Sequence, residues 1–119
     1  MRLFKSDKSK EQKLFEAIYN KKTEKVKSII KNSNKSRKIL DFNVKNENGN
    51  NPLSLATIDN NVEIVKLLIE YANQHQIILN VNEKNKYGWF PIMNAVSYNN
   101  IEIIKLLIDY ANQYQIVLI

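Results

Sequence analysis

Cysteine is absent from this chain, histidine occurs once, and glycine and proline occur only twice each. Without thiols, disulfide bonds and thiolate chemistry are excluded, and we expect an intracellular, cytoplasmic protein. Long apolar runs are also missing. No stretch approaches the roughly 20 residues that cross a bilayer, and residues 1–8 lack the apolar core of a signal peptide. We therefore expect a soluble protein with no membrane span.

The whole chain carries a net charge of +6, and its positive charge is concentrated in the N-terminal part. Residues 1–45 hold 14 Lys/Arg and 5 Asp/Glu, whereas residues 46–119 hold 4 and 7. A basic front predicts attraction to nucleic acid, an acidic protein or an anionic membrane. Compositional bias is the competing interpretation, because 16 Lys, 18 Asn and 16 Ile make up much of the chain. Many of the lysines would then be solvated filler.

A block of sequence recurs at a fixed offset of 39 positions. Of the 39 positions that begin at Leu40 and at Leu79, 21 are identical. A worn copy lies upstream. Self-similarity of this length predicts stacked supersecondary units rather than one closed globule. We divide the chain into a basic tail over residues 1–10 and a repeat domain over 11–119, with units at about 11–45, 46–84 and 85–119.

Each unit reads as two helices followed by a turn. Asn51 is a good N-cap and Pro52 fits the first helical position, so a short helix is predicted to about Ile58. Asn61 caps a second helix whose first turn carries Glu63, which is favourable at the positive end of the helix dipole. This second helix is apolar around most of its circumference, so it must be covered on more than one side.

These units resemble ankyrin repeats. The family motif is approximately D-x-x-G-x-T-P-L-H-x-A-A-x-x-G-H-x-E-I-V-x-x-L-L, and residues 46–56 read NENGNNPLSLA while residues 60–65 read NNVEIV. The resemblance covers about residues 11–119. It implies an all-α, ankyrin-like solenoid of stacked helix-turn-helix repeats with short hairpin-type loops.

Two departures from the family pattern carry predictions. The family period is about 33 residues, and here the extra residues fall after the second helix, where Ala72 and Ala111 replace a glycine. Without a glycine cap, the second helices are predicted to extend by about one turn, to near Gln74 and Gln113. Phe90 replaces the capping residue of the third unit, so its first helix should start less firmly, or Phe90 has another use.

Catalytic or cofactor chemistry is not predicted. The only histidine, His75, occupies the position of Tyr114 in the next unit, which indicates a packing or rim residue rather than a metal ligand or base. Gly49 and Gly88 occupy equivalent turn positions, so there is no phosphate-binding loop. No cluster has the spacing of a metal site. We expect a non-enzymatic protein without cofactor or metal.

The resemblance instead implies protein–protein interaction along hairpin tips and a concave helix face. The variable surface positions of the family fall on ten residues here. In the second unit these are Glu47, Asn48, Asn50, Ile58 and Asp59, and in the third they are Lys86, Tyr87, Trp89, Ser97 and Tyr98. Large aromatic residues are enriched in binding hot spots. For Trp89, shielding of the hairpin base against its neighbour remains an open alternative.

Two further interactions stay open. The basic N-terminal region is an alternative site, for nucleic acid or another polyanion. The last unit has no polar closing repeat, so its outer flank would be bare unless further repeats, a partner or a second copy cover it. The partner itself is not identified by the sequence, because one repeat scaffold serves many unrelated roles.

Overall fold

The computed structural model describes residues 8–118, which form six α-helices and no strand. Residues 1–7, most of the predicted basic tail, lie outside this range. The first helix of each pair is the shorter one. The helices are α1 (Lys10–Tyr19), α2 (Thr23–Ser36), α3 (Pro52–Ile58), α4 (Val62–Gln74), α5 (Pro91–Ser97) and α6 (Ile101–Gln113).

The helices pack in two layers. Helices α1, α3 and α5 lie side by side in one layer, and α2, α4 and α6 lie side by side in the other. We call the pairs α1–α2, α3–α4 and α5–α6 repeats 1, 2 and 3; repeat 2 begins at residue 46 and repeat 3 at residue 85, so the segment that follows each pair belongs to that pair. They stack into the all-α solenoid that the sequence repeat predicted, with extents of 45 × 30 × 21 Å.

Asparagine side chains begin several helices, as predicted. The Oδ1 of Asn51 accepts the backbone amide of Ser54 at 2.9 Å, and Asn61 makes the same bond at the start of α4. Phe90 makes no capping bond, and its side chain is largely buried instead. Pro91 begins α5 without it, because its fixed φ already suits a helix. Packing is therefore the other use that the sequence left open for Phe90.

Helices α4 and α6 end at Gln74 and Gln113, as predicted from the absence of a glycine at Ala72 and Ala111. The chain leaves α4 through Gln76 in the left-handed conformation, with φ 58°. The amide of Ile77 then bonds the carbonyl of Ala72 at 2.8 Å, which closes the helix end in the way that usually accompanies glycine. Gln76 thus takes the left-handed position about one turn after Ala72, the residue that replaces the glycine.

Charged and hydroxyl groups join successive repeats. Lys27 of repeat 1 pairs with Glu63 of repeat 2 at 3.0 Å, and Lys66 pairs with Glu102 at the same distance one repeat later. The two glutamates therefore have a partner in the preceding repeat besides their predicted place in the first turn of a helix. Buried tyrosine hydroxyls make a second set of contacts between repeats.

Candidate functional site

Two hairpin turns project from the helical layers, at residues 46–50 of repeat 2 and 85–89 of repeat 3. An asparagine side chain organises each turn. The Oδ1 of Asn46 accepts two backbone amides of its own turn at 3.0 Å, and Asn85 does the same 39 positions later at 2.9 and 3.0 Å. Gly49 supplies the left-handed residue that the turn requires, with φ 80°.

The two turns are bonded to each other. The amide of Lys86 donates to the carbonyl of Asn48 at 2.9 Å. The side-chain amide of Asn85 donates to the Oδ1 of Asn50 at 3.1 Å. Asn50, predicted as a surface position, is consequently buried and serves the contact between the turns. The tips therefore form one continuous edge.

A groove of about 540 Å³ lies between these turns and the short helices. Side chains of all three repeats line it, and they combine carboxylates, amides and apolar surface. Six of the ten predicted residues line this groove: Glu47, Asn48, Asn50, Ile58, Asp59 and Tyr87. Asn46, Leu55 and Asn85 line the same groove and were not among the predicted residues. That the six residues bind a partner stays a prediction.

The other four predicted residues lie elsewhere. Trp89 and Ser97 line a separate outer depression of about 320 Å³ against α5. Lys86 and Tyr98 are exposed and line neither cavity. The aromatic set Tyr87, Trp89 and Tyr98, which the sequence grouped as one surface, is thus divided, because Trp89 lies over α5 while Tyr87 faces the groove.

Helix α1 and its C-cap contribute four residues that sequence reasoning missed: Phe15, Glu16, Tyr19 and Asn20. A signal for two of them was present. Tyr19 and Asn20 lie 39 positions before Ile58 and Asp59, so applying the repeat offset once more upstream finds them. The worn first unit lacks a glycine hairpin, and the predicted surface therefore stopped at the second unit.

The groove is acidic although the chain is basic. Its lining contains the carboxylates of Glu16, Glu47 and Asp59 and no lysine or arginine. The Oδ2 of Asp59 is buried and has no hydrogen-bond partner among the residues that the structure describes. Burial raises the pKa of Asp59 above its ordinary value of 3.8, and the charge of Lys21 partly opposes this. Such a carboxylate favours a ligand that brings a cation or an N–H donor.

We expect Asp59→Asn to stabilise the fold by about 0.5–1 kcal/mol at neutral pH, because burial disfavours the charged carboxylate and the residue also lies at the negative end of the α3 dipole. Asn20 occupies the equivalent position of repeat 1. Since the pKa of Asp59 is raised in the fold, ionisation costs stability above that pKa and costs nothing well below 3.8. The gain should therefore disappear in acid. Urea unfolding of both proteins at several pH values measures it, and a gain that persists in acid would contradict the assignment to ionisation.

The lone histidine contributes to packing between repeats. The Nε2 of His75 lies 2.8 Å from the Oδ1 of Asn34, and the imidazole packs on Tyr71 with ring centres 4.3 Å apart and the rings tilted by 42°. Tyr114 repeats the contact by bonding Asn73 at 2.6 Å. Within residues 8–118, no group of three or more histidine, cysteine or acidic side chains is arranged to hold a metal ion.

The basic front surrounds a different surface. Lys8, Lys13, Lys22 and Lys25 line a depression of about 410 Å³ beside α1. Lys27 belongs to an ion-pair cluster instead, because it contacts both Glu24 and Glu63. Binding of a polyanion by this region stays a prediction. Among the helices described, none is both long enough and apolar enough to cross a bilayer.

Comparison with known proteins gives a family for the repeats. A family model described as ankyrin repeats, in three copies, matches residues 14–117. No curated protein matches the chain at the significance required. The groove and the outer depression both lie within the matched range.

Proposed function

Because the chain belongs to the ankyrin repeat family, we propose that it is a non-enzymatic module that binds a segment of a partner protein in the groove. Ankyrin repeats generally serve protein–protein interaction. The observation that carries the proposal is the convergence of side chains from three repeats on a single groove of about 540 Å³.

The chemistry of the groove favours a partner segment with a lysine or arginine beside an apolar side chain. Glu47 and Asp59 supply negative charge and no lysine or arginine lines the groove, whereas Glu16 is paired with Lys8 outside it. Tyr19 and Tyr87 supply aromatic faces, which attract cations and bury apolar surface at low conformational cost. Charge complementarity of this kind sets specificity and speeds association.

The test begins with affinity capture and cross-linking, which identifies the bound protein and the segment that contacts the groove. Binding of that segment is then measured for Glu47→Lys. We expect affinity to fall about 10-fold or more, because the substitution reverses charge in the groove.

Glu70→Lys is the matched control, since it makes the same charge change on the exposed surface of α4, outside the groove. Ile58→Ala and Tyr87→Ala should each weaken binding by about 10-fold, as expected for side chains at an interaction hot spot. Circular dichroism checks that all variants fold. Equal affinities for Glu47→Lys and Glu70→Lys would show that the groove is not the binding site.

A further inference from the structure

Repeat 3 presents an apolar outer face that no other helix covers among residues 8–118. Val96 and Ile101 are 59% and 58% exposed, and Trp89 is 38% exposed. We define the outer face by seven side chains on the hairpin base, α5 and α6: Trp89, Ile92, Met93, Val96, Ile101, Ile104 and Ile108.

The same face of repeat 2 is a packing surface. Leu53, Thr57 and Val65 lie 39 positions before Ile92, Val96 and Ile104, and they are 1%, 0% and 0% exposed. Helix α3 packs against α5, and α4 packs against α6. The outer face of repeat 3 is therefore the stacking surface of the solenoid without its neighbour.

This face is more apolar than its covered counterpart in repeat 2. Three polar residues of repeat 2 are replaced: Asn50 by Trp89, Ser54 by Met93 and Thr57 by Val96. In repeat 2, the side chains of Asn50 and Thr57 accept hydrogen bonds from repeat 3, both at 3.1 Å. Trp89 and Val96 accept none. If a further repeat like repeat 3 stacked on the outer face, its counterparts of Asn85 and Asn94 would find no side-chain acceptor on that face.

The front of repeat 1 is also a poor match for this face. In repeat 2, Tyr71 and His75 make hydrogen bonds or ring contacts with the preceding repeat. The equivalent positions of repeat 1, which lie 39 positions earlier, hold the exposed polar residues Asn32 and Ser36. Head-to-tail stacking of copies would press these groups towards the apolar face. An apolar surface whose side chains offer no hydrogen-bond acceptor is better covered by a surface that brings few donors, and among the seven side chains of the outer face only Trp89 carries one.

We propose that a second copy of this chain covers the outer face, with the two repeats 3 packed against each other about a two-fold axis. Such an interface uses one self-complementary patch, as most dimers do. Charge permits it, because residues 85–119 contain two lysines and two acidic residues while the whole chain carries +6. The basic fronts belong to repeat 1, which is separated from repeat 3 by repeat 2, so the arrangement keeps them away from the interface.

Light scattering of the full chain, from low micromolar to near-millimolar concentration, tests the proposal. The mass should rise from 13.9 kDa to twice that value and stop there. Trp89 is the single tryptophan, so its emission should shift to the blue over the same concentrations as the interface buries it. A constant mass of one chain overturns the proposal, since another occupant must then cover the face. Growth beyond two copies overturns it too, because that indicates open-ended stacking.

The double variant Met93→Ser, Val96→Thr gives this face the residues of repeat 2 at two positions. We expect it to raise the dissociation constant of the dimer at least about 100-fold, because four apolar side chains change in each dimer. The double variant Ile39→Thr, Ile78→Thr is the control, as these side chains are 60% and 51% exposed elsewhere. Circular dichroism checks folding. Equal weakening by both pairs would indicate unspecific hydrophobic association and would overturn the proposal.

Discussion

Replacing Tyr71 with phenylalanine is expected to lower the free energy of unfolding by about 2–3 kcal/mol, because the buried amide of Leu40 loses its acceptor and the buried hydroxyl of Ser33 loses one of its two partners. The Tyr71 hydroxyl accepts the backbone amide of Leu40 at 3.0 Å and lies 2.6 Å from the Oγ of Ser33. Ser33 in turn donates to the carbonyl of Lys38. The ring of Tyr71 packs on Phe42 with ring centres 5.1 Å apart. A phenylalanine keeps this contact, so the loss of stability belongs to the hydroxyl.

Two other tyrosines provide graded controls. The Tyr110 hydroxyl accepts the amide of Leu79 at 2.9 Å and donates only a long bond of 3.4 Å to the carbonyl of Ile77. Ala72 stands where repeat 1 has Ser33, so Tyr110→Phe should cost only about 1–2 kcal/mol. The hydroxyl of Tyr114 bonds Asn73 at an exposed position, and its removal should cost less than about 1 kcal/mol. Urea unfolding of the three Tyr→Phe variants, followed by circular dichroism, gives the order of their losses in the free energy of unfolding. A loss for Tyr71→Phe no larger than that for Tyr114→Phe would contradict the role of the buried network.

These tyrosines explain what the lengthened repeat does. Tyr71 and Tyr110 lie one residue before Ala72 and Ala111, where the added turn begins, and each hydroxyl bonds the segment that follows the long helix of the preceding repeat. The extra residues of the repeat fall in that segment, so the lengthened repeat is joined to its neighbour by hydrogen bonds in addition to apolar packing. Spacing predicted that the helices lengthen, because helix length follows from local signals. It did not predict the contact, which depends on how one repeat faces the next.

The same distinction separates the predicted from the missed parts of the groove. Ile58 and Asp59 follow from their place at the end of a short helix within a well-preserved unit. Phe15 and Glu16 required knowing that α1 lies beside α3, which the weakly matching first unit did not reveal. For Trp89, the sequence left binding and shielding open, and the structure directs this side chain to the outer depression instead of the groove.

The asparagine turns show which local signals suffice. Asn85 through Gly88 was predicted as a turn from composition, and the structure forms it with the expected left-handed glycine. The stacking of one turn on the other was not predicted, because it requires the two repeats to be in register. That stacking distinguishes Gly49 from Gly88, which otherwise occupy equivalent positions in their turns.

Gly49→Ala should lower the free energy of unfolding by about 2–4 kcal/mol, and Gly88→Ala by about 1–2 kcal/mol, because both glycines have positive φ but only Gly49 is crowded. Both have φ 80°. A Cβ at Gly49 would lie 3.2 Å from the backbone nitrogen of Lys86, whereas a Cβ at Gly88 would meet nothing within 4 Å. The Lys86 nitrogen cannot retreat without weakening its 2.9 Å bond to Asn48.

The difference between these two variants measures the contact between the hairpin tips, since the strain of positive φ is common to both. Urea unfolding of the two alanine variants beside the unmodified chain gives that difference directly. Equal losses would mean that the turns are not stacked in solution, and the continuous edge beside the groove would then be absent. A larger loss for Gly49→Ala, accompanied by weaker partner binding than in Gly88→Ala, would tie the stacked tips to recognition, because only Gly49 lies where one turn packs on the next.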